Sequence, residues 1–174
     1  NGLYSILTVY CFTAFFPVSA AEKQLPLTGE VFTIQKHTAF LILPEQTKAE
    51  KPIPWVWYAP TLRGLPANSE KWMFEQFLKA GIAIAGVDVG ESYGSPKGRG
   101  IYTALHEHLV KKRSLSNQAC LLARSRGGLM LYCWAAENPG KVRCITGIYP
   151  VCNIASYPGL KRACGAYGLT ADQL

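Results

Sequence analysis

The sequence lacks the patterns that would point to metal or nucleic-acid chemistry. Its 174 residues contain no CxxC pair, no HExxH motif and only three histidines, His37, His106 and His108. On a helix, His106 and His108 would point about 200° apart, so they cannot bind one ion together. The net charge is +7, but the basic residues are scattered, and no strand-like segment combines aromatic and basic residues as RNA platforms do. We therefore expect no metal, no cofactor and no nucleic-acid partner.

Charge is also absent from the first twenty residues, a largely apolar run that ends in small residues. This pattern predicts a signal peptide over residues 1–20, cleaved near Ala20, and therefore a secreted or periplasmic protein. The chain starts at Asn1 without a positively charged segment, so we expect this peptide to be incomplete. The alternative is a membrane anchor, although the apolar run is slightly shorter than the roughly 20 residues a span needs and contains Pro17. No membrane contact is expected after cleavage.

The five cysteines after residue 20 are an odd number, which argues against a complete disulfide framework. Cys11 would leave with the signal peptide. Cys152 and Cys164 both fall in a segment that looks like a loop, so these two could pair in an exported protein. The whole chain is 49% hydrophobic and 17% charged, values typical of a globular protein, and we expect residues 21–174 to form one packed domain.

Strand-like and helix-like segments alternate along residues 31–150. The predicted strands are two in "VFTIQKHTAFLILP", then "PWVWYAP", "GIAIAGVDV", "ACLLA" and "RCITGIYP"; the predicted helices run from Asn68 to Gly81, over 98–113 and over 126–138. Continuous apolar runs are typical of parallel strands covered on both faces. The order predicts an α/β fold with a mostly parallel sheet between two helix layers. Residues 152–167 are predicted to form a loop, and "GLTADQL" to begin a helix.

Ser125, in "ARSRGG", lies between a predicted strand and a predicted helix. A tight strand-to-helix corner lifts a serine hydroxyl above the carboxyl edge of a sheet, and it needs small residues two positions away on each side. Gly127 provides one of them, and Ala123 adds a methyl group where glycine is usual. The alternative is that Ser125 merely caps the helix.

Two further segments lie where such a corner would need them. "DVGESYGS", residues 88–95, resembles the DxxGxGxS loop, with Asp88 and Ser95 aligned and both glycines one place off, and "WYAPTLRG" follows the third strand. With "ARSRGG", they make residues 30 to 174 similar to the α/β-hydrolase superfamily, in particular to exported bacterial hydrolases of the prolyl-oligopeptidase-like or esterase-like kind. The resemblance implies a serine hydrolase of small ester or peptide substrates. In it, Ser125 is the nucleophile, the backbone N–H of Arg126 is one oxyanion donor, and Thr61 or Leu62 provides the second.

The remainder of the expected catalytic triad has no place in this sequence. The superfamily order is Ser, then Asp or Glu, then His, but all three histidines precede Ser125, and only Glu137 and Asp172 are acidic after it. We therefore expect a fragment that ends before the acid and the histidine and is inactive alone. The alternative is a non-catalytic α/β-hydrolase-like module that binds a ligand or partner. Tyr149 and Tyr157 are expected to line a substrate pocket, and the Arg126 side chain either meets a substrate carboxylate or faces solvent.

Overall fold

The computed structural model describes residues 23–45 and 52–174, so the predicted signal peptide and Cys11 lie outside the described residues. The described chain forms one six-stranded sheet in the order β1-β2-β4-β3-β5-β6. The strands are β1 Glu30–Ile34, β2 His37–Ile42, β3 Trp55–Ala59, β4 Ala83–Val87, β5 Ala119–Arg124 and β6 Val142–Ile148. Strands β4, β3, β5 and β6 are parallel, while β1 and β2 form an antiparallel hairpin along β4.

Four helices connect or follow the strands. They are α1 Lys71–Lys79, α2 Pro96–Arg113, α3 Gly127–Glu137 and α4 Leu160–Tyr167, with short 3-10 turns at Asn68–Glu70 and Pro139–Lys141. Helix α2 begins two residues before the predicted start, because Ser95 Oγ accepts a hydrogen bond from the Gly98 N–H at 3.5 Å and Pro96 fits the first turn. Among the described residues, no helix is long and apolar enough to cross a membrane.

The sheet is covered by helices on both faces, which confirms the predicted α/β architecture. Every residue of β3 and β4 is buried. On one face Trp57 packs against Trp134 of α3, with ring centroids 4.7 Å apart, and on the other Tyr58 packs against Phe74 of α1 at 5.5 Å. Burial of each such side chain contributes about 1.5–3 kcal/mol, so these two contacts fix the helix layers on the sheet.

The segment predicted as a loop over 152–167 is partly helical, which corrects the prediction. Helix α4 lies between Gly159 and Gly168, both with positive φ, and its Ala163 is fully buried against Tyr93 and Leu129. The glycines that suggested a loop therefore flank a helix that is held by one buried face. Residues 170–174 form a single turn.

The pairing that the sequence allowed between Cys152 and Cys164 is not formed, because both thiols are free. Cys164 lies inside α4 and its Sγ donates to the Lys161 carbonyl at 3.3 Å, while the Cys152 thiol donates to the Pro150 carbonyl at 3.7 Å. Each thiol is thus directed to a carbonyl of its own segment.

The parallel strands bring their following loops to one edge of the sheet. Residues 60–70 follow β3, residues 88–95 follow β4, Ser125 follows β5 and residues 149–159 follow β6. Ligand sites of open α/β sheets lie at this carboxyl edge.

Candidate active site

Ser125 occupies a strained corner between β5 and α3. Its φ is +50°, a left-handed conformation that costs a non-glycine residue about 1–3 kcal/mol. Three backbone hydrogen bonds hold it: its N–H donates to Ile148 O at 3.0 Å, and its carbonyl accepts from Gly128 N at 3.0 Å and Val151 N at 2.8 Å. The N-cap of α3 is Arg126. Ser125 is therefore a separate corner residue and not the cap of the helix.

Small residues let the strands and the helix approach each other at this corner. A Cβ atom at Gly127 would collide with the carbonyl oxygen of Ala59, and one at Gly128 would collide with the carbonyl oxygen of Val151. Ala123 is fully buried, and its neighbours at the same register are Ala59 in β3 and Gly147 in β6. Because both neighbours are small, the extra methyl group of Ala123 is accommodated.

The proposed oxyanion donors lie at the ends of adjacent strands. We call residues 60–70 the β3–α1 connection. Neighbouring strands are about 4.8 Å apart, so Thr61 and Leu62 after β3 lie beside Arg126 after β5. Within the described ranges, the backbone N–H groups of these three residues have no hydrogen-bond acceptor. These three N–H groups therefore have donor capacity that no described group uses, and the choice between Thr61 and Leu62 as the predicted second donor stays open.

Two side-chain hydrogen bonds hold the first residues of the β3–α1 connection in place. The Thr61 hydroxyl donates to Tyr58 O at 3.1 Å, and the Lys23 ammonium group donates to Leu62 O at 2.9 Å. Burial lowers the pKa of Lys23, and the charge of Asp88 partly opposes this shift. The end of β3 and Lys23 thus both hold the backbone of Thr61 and Leu62, the predicted second donors.

The side chain of Arg124, directly before Ser125, binds in a partly buried network. Arg124 Nη1 forms an ion pair with Glu70 Oε1, and its Nε donates to the Tyr149 hydroxyl at 3.0 Å. Glu70 is only 4% exposed, and its Oε2 accepts from Ala67 N at 2.8 Å and Ser69 Oγ at 3.0 Å. No sequence pattern points to Glu70 or Arg124, since a single acid far along the chain from Ser125 belongs to no recognisable motif.

The side chain of Arg126, directly after Ser125, lies in a more exposed environment. It forms an ion pair with Glu91, which is 41% exposed, and its guanidinium carbon lies 5.8 Å from the centre of the Tyr157 ring. Tyr149 and Tyr157, predicted to line a pocket, thus each contact an arginine that flanks Ser125. The Arg126 side chain was predicted either to meet a substrate carboxylate or to face solvent. It is 33% exposed, and its guanidinium is paired with the carboxylate of Glu91.

None of the three histidines lies beside Ser125. His37 belongs to β2, which is three strand positions from β5, about 14 Å, and its ring nitrogen lies 2.9 Å from the Asp88 carbonyl oxygen after β4. His106 is bonded to Asn117 O at 2.8 Å, before β5 and so toward the opposite edge of the sheet, and His108 stacks on Phe32 of β1.

The acidic residues after Ser125 do not supply a partner for an imidazole either. Glu137 pairs with Arg99 at 2.8 Å, and Asp172 is exposed in the turn after α4. In the part of the chain that the structure describes, no group of three His, Cys, Asp or Glu residues could hold a metal ion.

The loop over 88–95 packs against the helix that follows Ser125. Asp88 Oδ1 accepts from Gly90 N at 2.8 Å, and Gly94 has φ of +80°. A Cβ atom at Gly94 would collide with the carbonyl oxygen of Leu129 in α3. A glycine is therefore needed here, one place from the position that the family pattern gives it.

Comparisons with known proteins support the fold. No family model matches the sequence, and no curated protein matches it. Among solved structures, the chain is similar to an S-formylglutathione hydrolase from Agrobacterium tumefaciens, with a TM-score of 0.61 and 15% identity over 84% of this chain and 64% of that one. It is also similar to oligopeptidase B from Trypanosoma brucei, with a TM-score of 0.57 and 18% identity over 74% of this chain and 21% of that one.

A structure from a study of two prolyl endopeptidases gives a TM-score of 0.62 and 14% identity over 83% of this chain and 24% of that one. The chain thus spans 64% of the formylglutathione hydrolase and less than a quarter of each peptidase. All three neighbours have the α/β-hydrolase fold. The chain has this fold too, with its sheet and both helix layers in place.

Proposed function

We propose that the chain is the nucleophile-bearing part of a serine hydrolase that cleaves carboxylic ester or peptide bonds through an acyl-enzyme. The observation that carries this proposal is the left-handed corner at Ser125, at the carboxyl edge of the sheet, beside backbone N–H groups without acceptors. Strain of this kind persists only where the surrounding structure maintains it, and it is concentrated at functional sites. The fold of the neighbours, several of which are named as hydrolases or peptidases, supports the same reaction class.

The reaction would proceed in two steps. Ser125 Oγ attacks the substrate carbonyl carbon and loses its proton to a general base, and the carbonyl oxygen becomes an oxyanion. This oxyanion accepts hydrogen bonds from the Arg126 N–H and from the N–H of Thr61 or Leu62, each contributing about 3 kcal/mol to the transition state. The alcohol or amine leaves with a proton, and water then hydrolyses the acyl-serine.

We propose that the general base lies outside these 174 residues. His37, His106 and His108 all have other environments, and the fold's usual imidazole follows the nucleophile along the chain. Without it, Ser125 stays a protonated alcohol, so these 174 residues alone are expected to turn over little substrate. We also place the enzyme outside the cytoplasm, on the basis of residues 1–20, with residues 21–174 as its hydrolase domain.

The test is covalent labelling of the full-length protein with a fluorophosphonate. The reagent forms a bond between phosphorus and Ser125 Oγ and releases fluoride, so the wild type is expected to be labelled and Ser125→Ala is not. The matched control is Ser156→Ala, an exposed serine whose hydroxyl donates to Asn153 O at 2.9 Å and which should not affect labelling. Undiminished labelling of Ser125→Ala would refute the assignment.

A second candidate is a non-catalytic module that binds a ligand or partner at the same edge. It is favoured by the absence of an imidazole near Ser125 among the described residues and by Ala123 in place of glycine. Full-length protein that neither hydrolyses an ester such as p-nitrophenyl acetate nor reacts with the fluorophosphonate would favour this candidate.

A further inference from the structure

Arg124 connects three segments at the carboxyl edge of the sheet. It belongs to β5 and directly precedes Ser125, its ion pair with Glu70 reaches the last residue of the β3–α1 connection, and its hydrogen bond with Tyr149 reaches the segment after β6. Each of these segments borders the proposed reaction centre. A single side chain therefore links the nucleophile corner to the loop that carries the second oxyanion donor.

Glu70 is a buried acid, and both of its carboxylate oxygens accept hydrogen bonds. Its Oε1 accepts from Arg124, and its Oε2 accepts from the backbone of Ala67 and the hydroxyl of Ser69. A carboxylate that is 4% exposed needs such partners, because burial removes its contacts with water. The Tyr58 side chain, fully buried in β3, lies beside the pair, and burial raises its pKa to about 12.

The two ends of the β3–α1 connection are held in different ways. Its first residues continue β3, and Lys23 binds the Leu62 carbonyl. Its last turn is closed by the Glu70 bond to Ala67 N, is joined to β5 by the ion pair with Arg124, and continues into α1, whose Phe74 packs on Tyr58 of β3. The position of the Thr61 and Leu62 amides relative to Ser125 thus depends on a strand contact at one end and, at the other, on the packing of α1 together with the ion pair, which is the direct link to the strand that carries Ser125.

We infer that the Glu70–Arg124 pair is a positioning device that sets the β3–α1 connection, and with it the second oxyanion donor, against Ser125. The inference rests on the proposed function. Neither side chain needs to touch the substrate, and each acts through the backbone that it holds. Displacement of a catalytic group by about 1 Å can lower a rate 100-fold, so loss of the pair is expected to act on turnover more than on substrate binding.

The test compares Glu70→Gln with Glu91→Gln in the full-length protein. Both changes replace one carboxylate by an amide of the same shape in an ion pair with an arginine next to Ser125, but Glu91 is 41% exposed and belongs to the segment after β4, where it pairs with Arg126. We expect Glu70→Gln to lower kcat for p-nitrophenyl acetate about 10- to 100-fold with KM nearly unchanged, and Glu91→Gln to change kcat less than about twofold.

Turnover is counted per active site, titrated with the fluorophosphonate, so that partial unfolding lowers the number of sites and not kcat. The double variant Glu70→Gln with Arg124→Gln is expected to lose no more than Arg124→Gln alone, since both changes break the Glu70–Arg124 pair and Arg124→Gln already removes the bond to Tyr149. If Glu70→Gln does not fold, Arg124→Gln, whose side chain is 27% exposed, carries the same comparison. A per-site kcat equal to that of Glu91→Gln would overturn the inference.

Hydrogen exchange gives a second readout that does not require catalysis. The amides of residues 61–69 are expected to exchange faster in Glu70→Gln and at the wild-type rate in Glu91→Gln. If the wild-type protein neither reacts nor hydrolyses, the proposed function fails, while exchange still reports whether the pair holds the connection. If the wild type is active and both exchange and per-site kcat are unchanged in Glu70→Gln, only the inference fails.

Discussion

Two arginine–glutamate pairs flank Ser125, and they differ in depth. In the sequence Arg124 and Arg126 are equivalent neighbours of the serine. In the structure Arg124 reaches inward to Glu70, which is 4% exposed, while Arg126 reaches outward to Glu91, which is 41% exposed. An exposed pair contributes about 0–1 kcal/mol, whereas removal of one partner of a buried pair costs about 3–5 kcal/mol. Two ion pairs that look alike in the sequence are therefore expected to differ in their contribution to stability, and the difference follows from burial.

The largest expected effect comes from breaking the inner pair outright. Glu70→Ala removes the acceptor of Arg124 and of Ala67 N together, so we expect it to lower the free energy of unfolding by about 3 kcal/mol. Glu91→Ala is the matched control, with an expected loss below about 1 kcal/mol. Urea unfolding of both variants measures the difference. Equal losses in the free energy of unfolding would contradict the claim that burial distinguishes the two pairs.

The next largest effect is expected from a change at the Ser125 corner, which Arg124 and Arg126 flank. Gly127→Ala places a methyl group against the carbonyl oxygen of Ala59, which β3 cannot move away easily, so we expect a loss of about 1–3 kcal/mol. Gly140→Ala, where a Cβ atom meets no other atom, serves as control and should be nearly neutral. Denaturant midpoints of the two variants measure this, and a stable Gly127→Ala protein would show that the packing at the corner is loose.

A smaller effect concerns a buried group without a counter-ion, in contrast to Glu70. Burial lowers the pKa of His106 below its ordinary 6.5, so the folded chain keeps this ring neutral where the unfolded chain binds a proton. The resulting stability is present above pH 6.5 and is lost as the pH falls through the lowered pKa, by about 1 kcal/mol per pH unit. We expect His106→Gln, measured by unfolding at pH 7.5 and 5.5, to be less sensitive to pH than wild type. An identical loss in both proteins would contradict this.

The smallest expected effect is a difference in how the stability contributions of the two ion pairs respond to salt. Exposed charges are screened over about 10 Å at 0.1 M salt, and buried ones much less. The stability difference between wild type and Glu91→Gln should therefore vanish as sodium chloride is raised to 1 M, while that of Glu70→Gln should persist. Thermal unfolding at two salt concentrations measures both differences, and a parallel decline would place both pairs at the surface.

Local patterns were enough to predict the sheet and the corner, but not the contacts around the corner. The continuous apolar run through Ile84 and the small residues after Ser125 reflect constraints within a few positions of the chain, so they are visible in the sequence. Glu70 lies 54 positions before Arg124 and meets it only because β3 and β5 are neighbours in the folded sheet. Helix α4 was missed for a related reason, since its stability depends on burial of Ala163 against distant residues.

The most direct test of the account is to map the fluorophosphonate adduct on the full-length protein by mass spectrometry of its peptides. The account predicts one modified residue, Ser125, because in the described part of the chain its hydroxyl belongs to a left-handed corner between β5 and α3, next to the Arg126 N–H, which has no acceptor there. An adduct on another serine, or none on a folded protein that still hydrolyses p-nitrophenyl acetate, would contradict it.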